Sequence, residues 1–181
     1  MSLKDLTGTY VIDPSHTRIG FSARHAMVTK VRGAFTEVEG LAHVDGANPS
    51  ASNVTVTIQV ASFDTRNEGR DAHVKSADFL DAEKYPTITF VSTNVEQTGD
   101  GTVEITGDLT IKDQTRQITI PFTFEGEATD PFGNHRIGFE GGTSISRADY
   151  GITWNAALES GGVLVSDKVA LEFEISAIKQ S

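Results

Sequence analysis

The chain of 181 residues contains no cysteine, which excludes disulfide bonds, cysteine-based zinc sites and a thiol nucleophile. It has no run of about 18 apolar residues, the length that a membrane-spanning helix requires. The first residues, MSLKDLTGTYVID, lack the apolar core of a secretory signal. We therefore expect a complete cytoplasmic protein in which residues 1–181 form one domain.

Positive charge is also scarce in this sequence. Lys and Arg number 15 against 25 Asp and Glu, so the net charge at pH 7 is −10. Nucleic-acid binding depends on Lys and Arg meeting phosphates, and no dense basic run compensates for the deficit. The balance argues against a nucleic-acid partner, against adhesion to anionic lipid surfaces and against stable membrane insertion.

Motifs of catalysis and of metal binding are missing as well. The sequence has no G-x-S-x-G elbow, no P-loop and no G-x-G-x-x-G segment. Its five histidines are scattered, with no H-x-H or H-x-x-x-H pair. We therefore expect no metal, no cofactor and no catalytic residues. One enzyme hypothesis stays open as an alternative, in which Arg70, Asp71 and His73 act on a small amphiphile.

What the sequence does contain is period-two alternation over most of its length. In VEITGDLTIK, residues 103–112, an apolar residue or glycine occupies every second position, the pattern of a strand with one buried face. Short turns separate most of the alternating segments, which favours an antiparallel sheet closed into a barrel or a sandwich. The segments are 9–12, 18–26, 31–44, 53–61, 87–95, 103–112, 116–128, 136–146 and 169–178, or about eight long strands.

Three interruptions carry structural information. The alternation in 31–44 changes phase near Thr36 and Glu37, which predicts a β-bulge. Residues 67–80 do not alternate and predict a short helix followed by a bend. Pro121 cannot donate to a sheet ladder, so we expect the barrel to be pinched or partly open beside it. An edge of this kind would also support a homodimer.

The barrel interior has two alternative interpretations. Eight strands enclose a space that side chains fill or that holds one small ligand. Small residues on the inward-facing positions, namely Ala23, Gly33, Gly107, Gly126 and Ala128, fit either a solid core or a cavity. In the hollow alternative the lining is apolar: Phe21, Ile58, Phe90, Leu109, Ile120, Phe122, Phe139 and Phe173.

Several polar residues near the interior also have two interpretations. His25 shares the inward face of its strand, either as a buried neutral histidine with a hydrogen-bond partner or as a ligand contact. Arg70 and His73 lie three residues apart on one helix face and would hold an anionic head group, or Arg70 and Asp71 would tether the helix. Trp154 either plugs one end of the barrel or contacts ligand.

Four long segments of this chain resemble the YceI-like family. They are IDPSHTRIGFSARHAMVTKVRGAF, SFDTRNEGRDAHVKSADFLDAEKYPTITFVST, GDLTIKDQTRQITIPFTFEG and ISRADYGITW. The resemblance implies a lipocalin-like β-barrel with an elongated apolar tunnel, in a family associated with polyisoprenoid chains such as polyprenyl phosphates and quinone tails. Its motif residues fall on His16, His25, Arg70, Asp71 and His73.

We therefore predict an all-β fold, an elongated eight-stranded antiparallel lipocalin-like barrel with one short helical excursion. Its function would be non-catalytic binding, transport or storage of an amphiphilic isoprenoid lipid, with the head group near Arg24, Arg70 and His73. A solid-core domain for protein interaction remains the other alternative. The predicted ligand contacts are Phe21, His25, Ile58, Phe90, Leu109, Ile120, Phe122, Phe139, Trp154 and Phe173.

Overall fold

The structure, a computed structural model, describes residues 2–181 as eleven strands in one sheet and one α-helix. Among these residues no helix is long and apolar enough to cross a membrane. The elements are β1 (Gly8–Ile12), β2 (Arg18–His25), β3 (Thr29–Phe35), β4 (Val38–Val44), β5 (Asn53–Gln59), β6 (Phe63–Asp64), α1 (Glu68–Lys75), β7 (Thr87–Gln97), β8 (Thr102–Ile111), β9 (Gln114–Thr129), β10 (His135–Ser146) and β11 (Val165–Lys179).

Eight of the strands close into an antiparallel barrel, as predicted. The order around the ring is β1-β4-β5-β7-β8-β9-β10-β11, and β11 pairs back with β1. The other three strands lengthen the same wall. Strand β2 continues β1 along the edge of β11, β3 continues β4, and β6 continues β5.

The eleven observed strands therefore correspond to eight long ones, three of which are broken. A 3₁₀ turn at Pro14–His16 separates β1 from β2, and another at Val60–Ser62 separates β5 from β6. Strand β3 ends at Phe35 and β4 begins at Val38. The third break falls where the change of phase predicted a bulge.

The barrel is open beside Pro121, as the sequence predicted. The ladder between β9 and β10 runs from the pair Thr129–His135 to the pair Phe122–Gly141 and stops one residue short of Pro121. Beyond it, residues 114–121 of β9 still pair with β8. A 3₁₀ turn at Arg147–Tyr150 borders this opening, where the Arg116 Nε atom donates to the Asp149 carbonyl over 3.2 Å.

A bulge in β9 overturns one prediction about inward-facing residues. Gly138 pairs with Gly126, but the next pair is Phe139 with Phe124, so Glu125 has no cross-strand partner. One extra residue exchanges the two faces of a strand. Glu127 therefore lies on the same side as its buried partner Ile137. The prediction that Gly126 and Ala128 point inward is wrong.

Helix α1 begins and ends within the segment that predicted it. The Asn67 side chain accepts a hydrogen bond from the Arg70 backbone N–H over 2.8 Å and caps the N-terminus. An acidic Glu68 in the first turn and a basic Lys75 in the last complement the helix dipole. No residue of α1 is fully buried. Val74 packs partly buried against the core, and polar contacts of the helix add to this packing.

Candidate functional site

The interior of the barrel is hollow, and a solid core is therefore excluded. A narrow chamber of about 250 Å³ and a wide chamber of about 560 Å³ lie along it. The narrow chamber lies between β1, β4, β5 and β7–β11, and the wide chamber lies near α1 and the Arg147–Tyr150 turn. The two chambers meet at six residues that line both: Phe21, Phe35, Ile88, Ile111, Ile145 and Leu171.

Glycines in the wall explain how large aromatic residues leave this space open. A Cβ atom added to Gly33 would lie 2.5 Å from the Phe21 ring. A Cβ atom added to Gly107 would lie 2.5 Å from the Phe90 ring, and a Cβ atom added to Gly141 would lie 2.5 Å from the Phe122 ring. Each ring therefore occupies the place of a missing side chain on a neighbouring strand. It covers the wall instead of filling the axis.

The predicted contact residues all line one chamber or the other. Phe21 lines both chambers. The narrow chamber also contains Ile58, Phe90, Leu109, Ile120, Phe122, Phe139 and Phe173. The wide chamber contains Arg24, His25, Arg70, His73 and Trp154. Their contact with a ligand stays a prediction.

His25 lies at the rim of the wide chamber and is exposed, so the expected buried histidine is wrong. It is the last residue of β2, where the strand leaves the barrel. Within residues 2–181 its ring has no hydrogen-bond partner. Arg24 is also exposed and donates from Nη1 to the Val28 carbonyl over 3.4 Å. Exposed lining residues show that the wide chamber opens to solvent here.

The tether alternative for Arg70 and Asp71 agrees with the observed contacts. The Asp71 carboxylate accepts hydrogen bonds from the Thr65 backbone N–H, over 2.9 Å, and from its hydroxyl. The Arg70 Nε atom donates to the same hydroxyl over 2.7 Å, and Nη2 donates to the Thr65 carbonyl over 3.0 Å. These bonds fix α1 to the residue after β6, while Arg70 still lines the wide chamber.

His73 belongs to a cluster of rings that also contains Trp154 and Phe79. The ring centres of His73 and Trp154 are 4.7 Å apart, and those of Phe79 and Trp154 are 5.2 Å apart. The His73 Nε2 atom lies 2.9 Å from an Asp78 carboxylate oxygen. Asp71 is bonded to Thr65 instead, so the structure does not bring Asp71 and His73 together as a catalytic pair.

Arg147 is a lining residue that the sequence analysis missed. Its side chain is buried at 6% exposure beside the wide chamber. The guanidinium donates to the carbonyls of Ser166 (2.8 Å), Ile152 (2.9 Å), Trp154 (2.9 Å) and Val165 (3.1 Å). Burial lowers the pKa of Arg147, and the charge of Asp167 opposes this shift. The only signal in the sequence was an arginine directly after an alternating strand.

The far end of the narrow chamber is closed by apolar side chains of the N-terminal segment. Leu3 and Leu6 are buried there against Tyr10 and Ile137. Burial, together with the charge of nearby Glu127, raises the pKa of Tyr10. The narrow chamber therefore ends in a packed apolar layer.

An ion-pair network lies outside this closed end. The Arg136 Nη1 atom is 2.6 Å from the Asp13 carboxylate, and its Nε atom is 2.7 Å from that of Asp130. Hydrogen bonds from Ser15 and then from Arg136 hold the pKa of Asp13 well below its usual range. Bonds from Asn134 and Arg136 do the same for the pKa of Asp130. The network joins the turn after β1 to the start of β10.

A closed antiparallel barrel with an elongated apolar interior and a polar mouth defines a lipocalin-like protein. The chain belongs to the family of the YceI-like domain, whose model matches residues 10–177. It is 40% identical over 177 residues to a UPF0312 protein of Ectopseudomonas mendocina, covering 97% of this chain and 90% of that one.

Solved structures show the same fold. Burkholderia cenocepacia BcnA superposes with a TM-score of 0.80 at 25% identity, covering 91% of this chain and 98% of that one. A polyisoprenoid binding domain from Saccharophagus degradans, implicated in plant cell wall breakdown, has a TM-score of 0.72 at 14% identity. It covers 94% of this chain and 98% of that one, and at this identity the likeness concerns the fold alone.

Proposed function

We propose that this protein binds an amphiphilic isoprenoid lipid, such as a polyprenyl phosphate or a quinone-like molecule, and carries or stores it without catalysis. The observation that carries the proposal is the hollow apolar interior. The wide chamber of about 560 Å³ falls within the range of ligand sites, which is roughly 300–1,000 Å³. The narrow chamber of about 250 Å³ lies just below that range and extends the space beyond it.

Burial of an apolar chain would supply the driving force for binding. Each Å² of apolar surface removed from water contributes about 25 cal/mol. Cavities lined by Leu, Ile and Phe stay dry and take up apolar molecules. The narrow chamber has such a lining in Leu109, Ile120 and Phe139. A chain-like tail that enters from the wide chamber would pass the six shared residues into this space.

The polar groups favour an anionic head at the mouth of the wide chamber. Arg24, Arg70 and His73 line that chamber, and Arg24 and Arg70 are exposed to solvent. Arg147 gives four hydrogen bonds to backbone carbonyls, so it contributes positive charge rather than free donors. A phosphate placed here would meet cations without leaving water completely.

One neighbour of the same fold is described with a ligand of this class. The Saccharophagus degradans neighbour is described as polyisoprenoid binding, and its barrel covers nearly the whole of this chain. Asp71 is held by Thr65, so it does not act together with His73 as the enzyme alternative requires.

Two measurements test the proposal. Protein purified from cells should release an isoprenoid on organic extraction, detected by mass spectrometry. Trp154 is the only tryptophan and lines the wide chamber, so its fluorescence should change and saturate as a polyprenyl phosphate is added. An empty extract together with an unchanged signal for every long-chain isoprenoid would refute the proposal.

Substitutions in β8 provide a matched control for that titration. Leu109 is buried and lines the narrow chamber, whereas the next residue, Thr110, bonds to Thr115 on the other face. Leu109→Glu should abolish binding or folding, because it places a carboxylate among apolar groups. Thr110→Glu should leave both intact. Equal behaviour of the two variants would contradict the assignment of the inward face.

A further inference from the structure

The turn between β2 and β3 exposes apolar side chains beside the mouth of the wide chamber. Met27 is 61% exposed and Val28 is 74% exposed. The Val28 N–H donates to the His25 carbonyl over 3.0 Å and closes a tight turn. Ala26 and Met27 have φ values of 50° and 63°, a left-handed conformation that disfavours residues other than glycine. The turn therefore maintains an unfavourable backbone while directing apolar groups into solvent.

A neighbouring loop enlarges this apolar tip. A Cβ atom on Gly162 would lie 3.3 Å from the Met27 Cγ atom, so the loop packs against the turn. Val163, in the same loop, is 39% exposed. Leu164, which follows it, lines the wide chamber. The exposed tip and the chamber mouth are therefore continuous.

Positive side chains surround the tip. Arg24 lies directly opposite Lys30, and Ser22 lies opposite Arg32, across the β2–β3 ladder. Lys168 follows on β11, next to the pair formed by Val169 and Ala23. All four cations are exposed, and within residues 2–181 none forms a salt bridge. Like charges directly opposite one another across a ladder are destabilising, so the pair of Arg24 and Lys30 would be relieved by an anionic partner.

We propose that this tip and its four cations dock the mouth of the wide chamber onto a bilayer that carries anionic head groups. Met27 and Val28 enter the interface, and the cations meet lipid phosphates. The overall charge of −10 argued against adhesion to anionic lipid surfaces, but the charge is unevenly distributed, so an anionic surface repels most of the molecule and attracts this end. Docking is therefore oriented, and it sets the chamber mouth against the source of an amphiphile.

The charges favour a bilayer over a second copy of the chain. Two copies joined through this surface would bring the same four cations face to face, which is repulsive. A bilayer with anionic head groups instead supplies both an apolar layer and opposite charge. Asp167, next to Lys168, and Glu159, in the loop that contains Gly162, are exposed and supply two negative charges against the four positive ones, so the surface keeps a net positive charge.

Vesicle sedimentation tests the docking independently of the cavity. Vesicles of phosphatidylglycerol and phosphatidylcholine, free of isoprenoid, should bind the protein, while vesicles of phosphatidylcholine alone should bind it far less. Raising the salt concentration should release it. Lys30→Gln and Arg32→Gln should each weaken binding roughly fivefold, the effect expected per positive charge near an anionic surface. Equal binding to both kinds of vesicle would overturn the proposal.

Phe132 provides the matched apolar control. It is 89% exposed in the β9–β10 turn, at the opposite end of the barrel. The double change Met27→Ser with Val28→Ser should reduce vesicle binding, whereas Phe132→Ser should not. Equal effects of the two changes would refute docking through the β2–β3 turn. A dimer in analytical ultracentrifugation that the double change dissolves would assign the surface to a second copy instead.

The variant Met27→Gly distinguishes a role of the Met27 side chain in docking from a role in stabilising the fold. Glycine adopts the left-handed conformation freely, so the midpoint of thermal unfolding should rise. Vesicle binding should fall, because the apolar side chain is lost. A variant that is more stable and binds vesicles as well as the unaltered protein would overturn the proposal.

Discussion

The narrow and the wide chamber share one barrel but have different walls. The long strands β7–β11 build much of the narrow chamber, and Leu3 and Leu6 close its far end. The wide chamber is bounded by the broken ends of strands, by α1 and by the Arg147–Tyr150 turn. Alternating strands give the first region a mainly apolar lining, with Asp45, Ser52 and Gln97 among its few polar members. Interrupted strands bring cations and histidines to the second.

The difference explains how one barrel would serve an amphiphile. A regular ladder places every second side chain inward, so the wall can be apolar throughout. Where strands break, backbone groups need other partners. Arg147 and Asp71 provide them, and their neighbours form a polar rim. The apolar narrow chamber therefore suits the tail of a lipid, and the polar rim of the wide chamber suits its head group.

Of the changes that distinguish the two chambers, removal of Arg147 from the wide chamber should have the largest effect, and this effect is on stability. Arg147→Met removes a donor from four backbone carbonyls. That of Val165 keeps a bond from the Asn155 Nδ2 atom, and each buried group left unpaired costs about 1–3 kcal/mol. We expect the free energy of unfolding to fall by at least about 3 kcal/mol, measured by urea denaturation. Arg116→Met is the control, since Arg116 is exposed and gives one such bond. Similar losses in both variants would mean that the wide chamber does not depend on its buried cation.

Blocking the junction should separate the two chambers functionally. Ile145 lines both chambers, and Ile145→Phe would narrow the passage between them. Affinity for long isoprenoid chains should fall more than tenfold, while short chains that fit the wide chamber keep theirs. Titrations followed by Trp154 fluorescence measure the affinity for long chains and for short chains. The neighbouring exposed Ser144 provides the control Ser144→Phe, and a loss that is independent of chain length would contradict a continuous tunnel.

The polar mouth should recognise charge rather than chain length. Arg70→Gln should weaken binding of a polyprenyl phosphate about tenfold, the scale of one charged hydrogen bond. Binding of the isoprenoid alcohol of equal length should not change, so loss of the Thr65 tether cannot imitate the result. Arg66→Gln, in the loop before α1, is the control. If Arg70→Gln weakened binding of the phosphate and of the alcohol equally, Arg70 would have no part in head-group recognition.

Low pH should destabilise the network outside the closed end of the narrow chamber. This is the smallest of the four expected effects. Asp13 and Asp130 have pKa values lowered by hydrogen bonds in the folded state. Their stabilisation is present above the unfolded pKa of about 4 and is lost as the pH falls below it. Arg136→Met removes a partner of both carboxylates, so the decrease in urea midpoint between pH 5 and pH 3 should become shallower.

The exposed pair of Arg18 and Glu172, 3.6 Å apart, supplies the control for that experiment. Arg18→Met should keep the steep dependence on pH, because exposed ion pairs contribute little. An unchanged slope in Arg136→Met would show that other carboxylates account for the acid sensitivity.

Alternation in the sequence was sufficient to predict the apolar lining. All eight apolar contacts proposed from strand parity line the chambers, because side chains on a regular strand have no freedom to choose another face. Pro121 also marked the opening of the β9–β10 ladder, since a missing N–H is a property of the residue itself. Parity failed beyond Glu125, where a bulge that depends on pairing with β10 exchanges the faces.

The sequence by itself determined an antiparallel sheet of about eight long strands, the inward residues wherever no bulge shifts the alternation, and the place of the helix, because these follow from local periodicity and capping. The choice of a barrel over a sandwich came from the resemblance to the family. Tertiary structure alone decided that the axis is hollow, since that depends on which glycine each phenylalanine ring covers on a neighbouring strand. It also buried Arg147 among the carbonyls of Ile152, Trp154, Val165 and Ser166. It gathered Arg24, Lys30, Arg32 and Lys168 at one end of an acidic chain, because register between strands brings together charges that no sequence run contains.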